Sequence, residues 1–291
     1  MLAAPLIPYI DLPELVLLKP GALWAGFPPE PFSIKPFGTL VAIGVYVGAY
    51  LAVRQGKRLG IHERSLTSFI FWVVAGGFIG GHMLDTIFYH PDVLESDPLS
   101  LIKLWEGLSS FGGFTGALFG ALAWKLRYRT RLMPYVDVVA SAFPIAWVFG
   151  RSGCTVAHDH PGLHSNVWFA VNYPGGARFD LGLYEMLLTV PLAVAFLWLR
   201  RKPRPWGFYA GVMSVVYAPT RFALDSLRVR DMKIADARYA GLTPAQWACF
   251  GLLALGSILL WRALDSAGTE AALLPPAPAF ETSEAPQDKP A

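Results

Sequence analysis

Tyr217, Arg221, Asp225 and Arg228 recur at i, i+4, i+8 and i+11, which puts all four on one face of a helix. An arginine two turns inside an apolar segment, beside a tyrosine, can grip a phosphate through two parallel N–H donors. The alternative is an Arg221–Asp225 pair that neutralises itself, but Arg228 leaves a surplus positive charge on the stripe. A second cluster follows another apolar run: Gly150, Arg151, Ser152, Gly153 and Cys154, then His158, Asp159 and His160 before Pro161-Gly162. Two histidines around an aspartate can supply a general base, because imidazole changes charge near neutral pH. They can hold a metal only with a third and fourth ligand from elsewhere. They can also form no more than a polar turn ended by Pro-Gly. Cys154 has no nucleophile motif around it and reads as a small packing residue. Glu185, about one turn into the next apolar run, can pair with Arg151 or Arg221, and the sequence does not choose. His82 and Asp85 are three apart, on one face of a further run, just after Gly76-Gly77-Phe78-Ile79-Gly80-Gly81. That glycine face, and the Gly112, Gly116 and Gly120 stripe, admit close approach of a helix or of a lipid chain.

The elements that must position these groups are membrane helices. The chain has 291 residues, 54% of them hydrophobic and only 15% charged. Its mean hydropathy is +0.42. A soluble domain carries about 25% charged residues, so an ordinary soluble enzyme, a disordered regulator and a coiled coil are excluded. A net charge of +3 implies no basic face for nucleic acid. Cys154 and Cys249 are too far apart for a metal knuckle and too few for a disulfide scaffold. No metal and no cofactor is expected. Seven windows reach the roughly 20 apolar residues of a span: Pro36–Val53, Leu66–Tyr89, Leu108–Trp124, Leu132–Gly150, Leu181–Leu199, Trp206–Leu227 and Leu242–Trp261. The expected fold is therefore all-α and polytopic, with about seven transmembrane helices.

Lysine and arginine set the orientation. Arg54, Lys57, Arg58 and Arg64 follow span one, Lys125, Arg127, Arg129 and Arg131 follow span three, and Arg200, Arg201, Lys202 and Arg204 follow span five. Those loops belong in the cytoplasm. Lys103 sits alone among Asp92, Glu95, Asp97 and Glu106 after span two, so that loop belongs outside. The N-terminus is then outside and the C-terminus cytoplasmic. The loop after span six, with Arg228, Arg230, Lys233 and Arg238, breaks the rule and asks for a local reason such as an anionic head group. Residues 1–35 form an expected outer arm, with Leu12, Leu15, Val16, Leu17, Leu18, Trp24 and Phe27 suited to the interface. Residues 36–262 form the seven-helix catalytic domain. Residues 263–291, rich in Ala, Pro, Glu and Ser, read as a disordered cytoplasmic tail.

Six segments in order carry a resemblance. They are Gly80-Gly81-His82 with Phe88-Tyr89, Ser110-Phe111-Gly112-Gly113-Phe114-Thr115-Gly116 and Gly150-Arg151-Ser152-Gly153-Cys154. Then come Leu183-Tyr184-Glu185, Arg201-Lys202-Pro203-Arg204-Pro205 with Gly207, and the Tyr217, Arg221, Phe222, Asp225, Arg228 stripe. Together they resemble the bacterial phosphatidylglycerol–prolipoprotein diacylglyceryl transferase family, from about Pro36 to Trp261. The departures are specific. Phe111 stands where the family has a histidine before Gly-Gly, and Cys154 where its Gly-Arg-x-Gly-Asn signature has asparagine. His82 replaces an arginine, and Phe179 falls on a further histidine. The His158-Asp159-His160 cluster lies outside the family's motifs.

The resemblance implies a reaction. The thiol of a prolipoprotein lipobox cysteine attacks the glyceryl carbon of phosphatidylglycerol, a thioether forms and glycerol-1-phosphate leaves. Arg151 and Arg221 would be the clamp on the leaving phosphate. His158 or His160, oriented by Asp159, would take the thiol proton. Tyr217, Arg228, Glu185, Tyr184, Gly112, Gly113, His82 and Gly153 would contact substrate. The implied partners are phosphatidylglycerol, the prolipoprotein signal-peptide region and membrane lipids, with no nucleic acid. The implied place is the bacterial cytoplasmic (inner) membrane. Two rivals remain at this level: a non-catalytic phospholipid-binding or transport homologue, favoured by Phe111, and a transferase using the same lipid donor with another acceptor.

Overall fold

Long apolar runs with few breakers give eight α-helices among the described residues of the computed structural model. Those residues are 5–19, 21, 32–102, 107–232, 238–267, 269, 273–277 and 279. The helices are α1 (Pro36–Arg58), α2 (Glu63–Tyr89), the short α3 (Pro91–Ser96), α4 (Ser110–Tyr128), α5 (Met133–Ala157), α6 (Leu181–Leu199), α7 (Phe208–Asp225) and α8 (Pro244–Asp265). Five of them, α1, α2, α5, α6 and α8, are long and apolar enough to cross a membrane. The chain is a polytopic helical membrane protein. α4 and α7, at the places of expected spans three and six, are helical over 19 and 18 residues but fall outside that five. α4 ends on Lys125 and Arg127, and α7 carries Arg221 and Asp225 in its last two turns.

The all-α expectation needs one correction. Residues 161–180 form strands β4 (Pro161–His164), β5 (Val171–Asn172) and β6 (Arg178–Asp180), joined by β1 (Ile7–Pro8) in the order β1-β5-β6-β4. Gly175 and Gly176, at φ +92° and +128°, turn the chain between β5 and β6. Leu15–Leu18 (β2) pairs antiparallel with Phe32–Ile34 (β3). The described part of the N-terminal arm thus carries short strands, and Leu12, Leu15, Val16 and Leu17 stay exposed on it. Trp24, Phe27, Lys103, Glu106, Lys233 and the tail beyond residue 279 lie outside the described residues.

The chain divides into two compact units, residues 1–51 with 140–267, and residues 52–139 with 268–291. In the second, α2 and α4 meet through glycines. A Cβ on Gly80 would stand 2.6 Å from the Gly116 Cα, and one on Gly116 would collide with the Gly76 carbonyl. The two glycine faces are therefore occupied by each other, so neither lies open as a bed for lipid chains. Gly112 and Gly113 belong to this seam: Gly112 backs onto the Gly80 carbonyl, and the Gly77 carbonyl lies 3.8 Å from a Cβ on Gly113. We expect Gly116→Val to lower stability by about 1–3 kcal/mol, because backbone cannot yield as a side chain can. Thermal unfolding in detergent measures it, and a wild-type midpoint would contradict the seam. Phe69, Trp124 and Tyr135 pack edge-on beside the seam. The described tail residues Leu274 and Pro275 accept from Arg131 at 3.3 and 3.2 Å, and the Ala279 N–H donates to Ser65.

Candidate active site

The first unit brings three helices, α5, α6 and α7, together around one buried carboxylate. α5 runs on through Ala157 rather than ending at Gly150, so Arg151, Gly153 and Cys154 lie on a helix and not in a loop. The extension has a visible cause: Arg151 reaches back one turn, its guanidinium 4.6 Å over the Trp147 ring, and its Nε lies 3.0 Å from Glu185 Oε1. Glu185 sits in the second turn of α6, 1% exposed. Its Oε1 also accepts from Trp147 Nε1 at 3.1 Å and from the Tyr217 hydroxyl at 2.7 Å, and its Oε2 from Arg221 at 3.1 Å. The sequence left Glu185 to choose between two arginines; it holds both.

Arg221 spans two carboxylates, since its other terminal nitrogen donates to Asp225 Oδ1 at 3.0 Å. The Arg221–Asp225 pair is real, but Glu185 makes it part of a larger network. Asp225 is fully buried and also accepts from the Thr243 hydroxyl. Thr243 caps α8 through a capping box with Gln246, so the start of α8 is tied to the charged stripe of α7. Arg228 lies with its Nε 4.0 Å from Asp225 Oδ1. Three guanidiniums therefore gather around two carboxylates in a mostly dry cluster.

The two candidate histidines part company. His158 closes α5 in the left-handed region at φ +49° and turns the chain toward β4. Its Nδ1 lies 2.7 Å from Asp180, its Nε2 3.2 Å from the Ile10 carbonyl, and Tyr9 stacks on its ring at 4.0 Å. Both nitrogens are engaged, Nδ1 with the N-cap of α6 and Nε2 with the N-terminal arm. Asp159 pairs with His160, not with His158: Asp159 Oδ1 lies 2.5 Å from His160 Nδ1. His160 Nε2 faces Arg151 at 3.3 Å, so its lone pair is directed at the arginine cluster. Asp180 accepts from Tyr173 as well and caps α6 through the Leu183 N–H. Burial pushes the Tyr173 hydroxyl well up, and the Asp180 charge beside it adds to that.

The remaining expected residues are distributed as follows. Tyr184 donates to the Phe169 carbonyl at 2.7 Å and packs on Phe169 and Phe179. A Cβ on Gly153 would stand 3.0 Å from the Phe37 ring, so Gly153 serves helix packing. His82, Gly112 and Gly113 belong to the second unit, where His82 is buried with Nε2 2.8 Å from the Ser100 carbonyl. Trp147, Asp180, Thr243 and Gln246 escaped the sequence reading. Trp147 could have been found one turn before Arg151, and Thr243-Pro244-Ala245-Gln246 as a capping box ahead of an apolar run. Outside the spans, Arg178 donates to both oxygens of Asp231, at 3.0 and 2.6 Å, and that hydrogen bonding holds the Asp231 carboxyl down at about 2.

Comparison with known proteins identifies the family. A family model described as prolipoprotein diacylglyceryl transferase matches residues 27–262. The chain is 29% identical over 252 residues to a phosphatidylglycerol–prolipoprotein diacylglyceryl transferase of Chromohalobacter salexigens, covering 83% of this chain and 94% of that one. It is 29% identical to the same-named proteins of Nitratidesulfovibrio vulgaris, over 80% of this chain and 90% of that one, and of Pseudomonas putida, over 85% and 95%. With a family model matching residues 27–262 and relatives matched across most of its length, the chain belongs to the prolipoprotein diacylglyceryl transferase family.

Proposed function

We propose that this chain transfers the diacylglyceryl group of phosphatidylglycerol to the lipobox cysteine thiol of prolipoproteins, in the bacterial inner membrane. Family membership supports the reaction. The observation that carries the site is Glu185, which binds Arg151 and Arg221 into one rigid pair. Arg228 lies on the same stripe of α7, beside Asp225. Arg151 and Arg221 stabilise charge as the glyceryl C–O bond breaks, and Tyr217 fixes the pair through Glu185. His160, oriented by Asp159, takes the thiol proton. In this reading α1, α2, α4, α5, α6, α7 and α8 are the seven spans, the N-terminal arm and the β1-β5-β6-β4 sheet face outward, and the C-terminus is cytoplasmic. The apolar signal-peptide region enters from the lipid phase to the outward end of α5 and α6.

Purified protein in phosphatidylglycerol vesicles, given a lipobox peptide, is expected to yield a thioether-linked diacylglyceryl peptide. Arg221→Ala should lower that rate by about 10²–10³-fold, the size of losing one preorganised charge donor. An unchanged rate would remove Arg221 from the clamp. Phe111 favours a second reading, lipid binding without transfer; it is supported only by vesicle binding with no thioether product. Glycerol phosphate released with cell extract, but not with lipobox peptide, would point to another acceptor.

A further inference from the structure

We propose that Arg178 and Asp231 are positioning residues for Arg228, and that through Arg228 they set the affinity for the anionic lipid donor. The proposal rests on the transferase reading for the identity of that lipid, but the clasp itself is argued from this chain. α7 ends at Asp225, so Arg228 stands beyond the regular helix bonding that places Arg221. A tightened turn carries the chain out, with the Leu227 N–H donating to the Leu224 carbonyl at 2.9 Å and the Arg228 N–H to the Asp225 carbonyl at 3.3 Å. Strand β4 then takes over. The Leu163 N–H donates to the Leu227 carbonyl at 2.8 Å and the Val229 N–H to the Pro161 carbonyl at 3.4 Å, which sets Gly162 opposite Arg228 in an antiparallel bridge. Gly162 is what lets the two backbones close. A Cβ there would stand 2.7 Å from the Leu227 carbonyl oxygen and 2.8 Å from the Phe179 Cβ.

One bridge is a weak attachment, since short strand pairs are marginal without further support. The support comes from β6, which pairs with β4 on its other side. Buried Arg178 reaches past β4: its Nη1 donates to the Gly162 carbonyl at 3.1 Å and to Asp231 Oδ1 at 3.0 Å, and its Nη2 to Asp231 Oδ2 at 2.6 Å. One flat guanidinium thus joins three chain segments, and its fork matches the carboxylate as a lysine cannot. His164 Nε2 lies 2.6 Å from Arg178 Nη2 and 3.4 Å from Asp231 Oδ2, closing the rim of the clasp. Arg228 is therefore held from both sides, by buried Asp225 before it and by the clasped Asp231 after it.

The clasp supplies a local reason for basic residues on a loop that breaks the charge rule. Arg228 ends the line of cations that begins at Arg221 on α7. Its place suits the anionic head group of a lipid whose glyceryl carbon reacts beside Arg151 and Arg221. The Asp231 side chain is half exposed, so its pair with Arg178 adds little to global stability. Loss of the pair is expected to let Arg228 drift from the head group rather than to unfold the sheet.

Initial rates of lipobox-peptide labelling by the full chain, with the phosphatidylglycerol content of the vesicles varied, test the clasp. Asp231→Asn is expected to raise the KM for phosphatidylglycerol about tenfold, within the coupling range of residues in one network, and to leave kcat near wild type. Arg178→Lys, which keeps the charge and loses the fork, should do the same, and Asp231→Glu should restore most of the affinity. Arg228→Ala should raise KM as well, and adding Asp231→Asn to it should raise KM no further. An unchanged KM in both Asp231→Asn and Arg178→Lys overturns the clasp, as does a further rise when Asp231→Asn is added to Arg228→Ala. A lower unfolding midpoint and lower kcat with KM unchanged would mark a purely structural pair and overturn it too. Wild-type protein that forms no thioether product sinks the transferase reading instead. The clasp is then read from phosphatidylglycerol binding alone, by tryptophan fluorescence titration in detergent. The same order of variants is expected there, and wild-type affinity in Asp231→Asn and Arg178→Lys overturns it.

Discussion

Glu185→Gln is expected to abolish diacylglyceryl transfer, by 10³-fold or more, and to lower the unfolding midpoint. The substitution keeps the shape of the side chain and removes only its charge. Four side chains, Arg151, Trp147, Tyr217 and Arg221, direct donors at this one carboxylate. Without its charge, Arg151 and Arg221 are two cations in a dry site, with Asp225 the one remaining ion-pair partner among the described residues. Breaking a buried pair by removing one partner costs about 3–5 kcal/mol, because the remaining charge is left uncompensated. Here two charges lose the same partner. The clamp also loses its geometry, since Glu185 pairs with both guanidiniums. Thermal unfolding and thioether yield, measured on the same preparation, separate the two effects. Native turnover in Glu185→Gln would mean that the arginines hold their places without it.

His160→Ala is expected to lower turnover by about 10²–10⁴-fold, the range for a positioned acid–base group. His158→Ala should leave turnover much closer to wild type and should loosen the outer arm instead. The contrast follows from partners. His158 faces Asp180 and the Ile10 carbonyl and stacks under Tyr9, so its loss frees β1. His160 faces Asp159 on one side and Arg151 on the other, so its loss empties the place beside the clamp. Limited proteolysis of the N-terminal segment reads the first effect, and the rate of peptide labelling reads the second. Equal rate losses in the two variants would overturn the assignment.

What the sequence made legible follows from period. Tyr217, Arg221, Asp225 and Arg228 were readable as one face because helical spacing is regular, and α7 places them so. Glu185 was readable as a buried charge needing a partner, but nothing local says that a carboxylate has two. His158 and His160 are alternate residues of one turn, and only the left-handed backbone at His158 sends one ring to the arm and the other to the clamp. The strands β4, β5 and β6 are too short, at two to four residues, for alternation to announce them. The glycine faces were legible as surfaces of close approach, yet helix and lipid leave the same signature until a partner helix is seen.

Asp180 has three duties at once: it anchors His158, accepts from Tyr173 and starts α6. One turn further on that helix carries Glu185. The N-terminal arm and the Glu185 network therefore share a hinge pin, and Asp180 links Tyr9 and Ile10, through His158, to the helix that carries Glu185. In a genetic screen for lost activity, substitutions at Tyr9 would then segregate with those at Glu185 and its arginines.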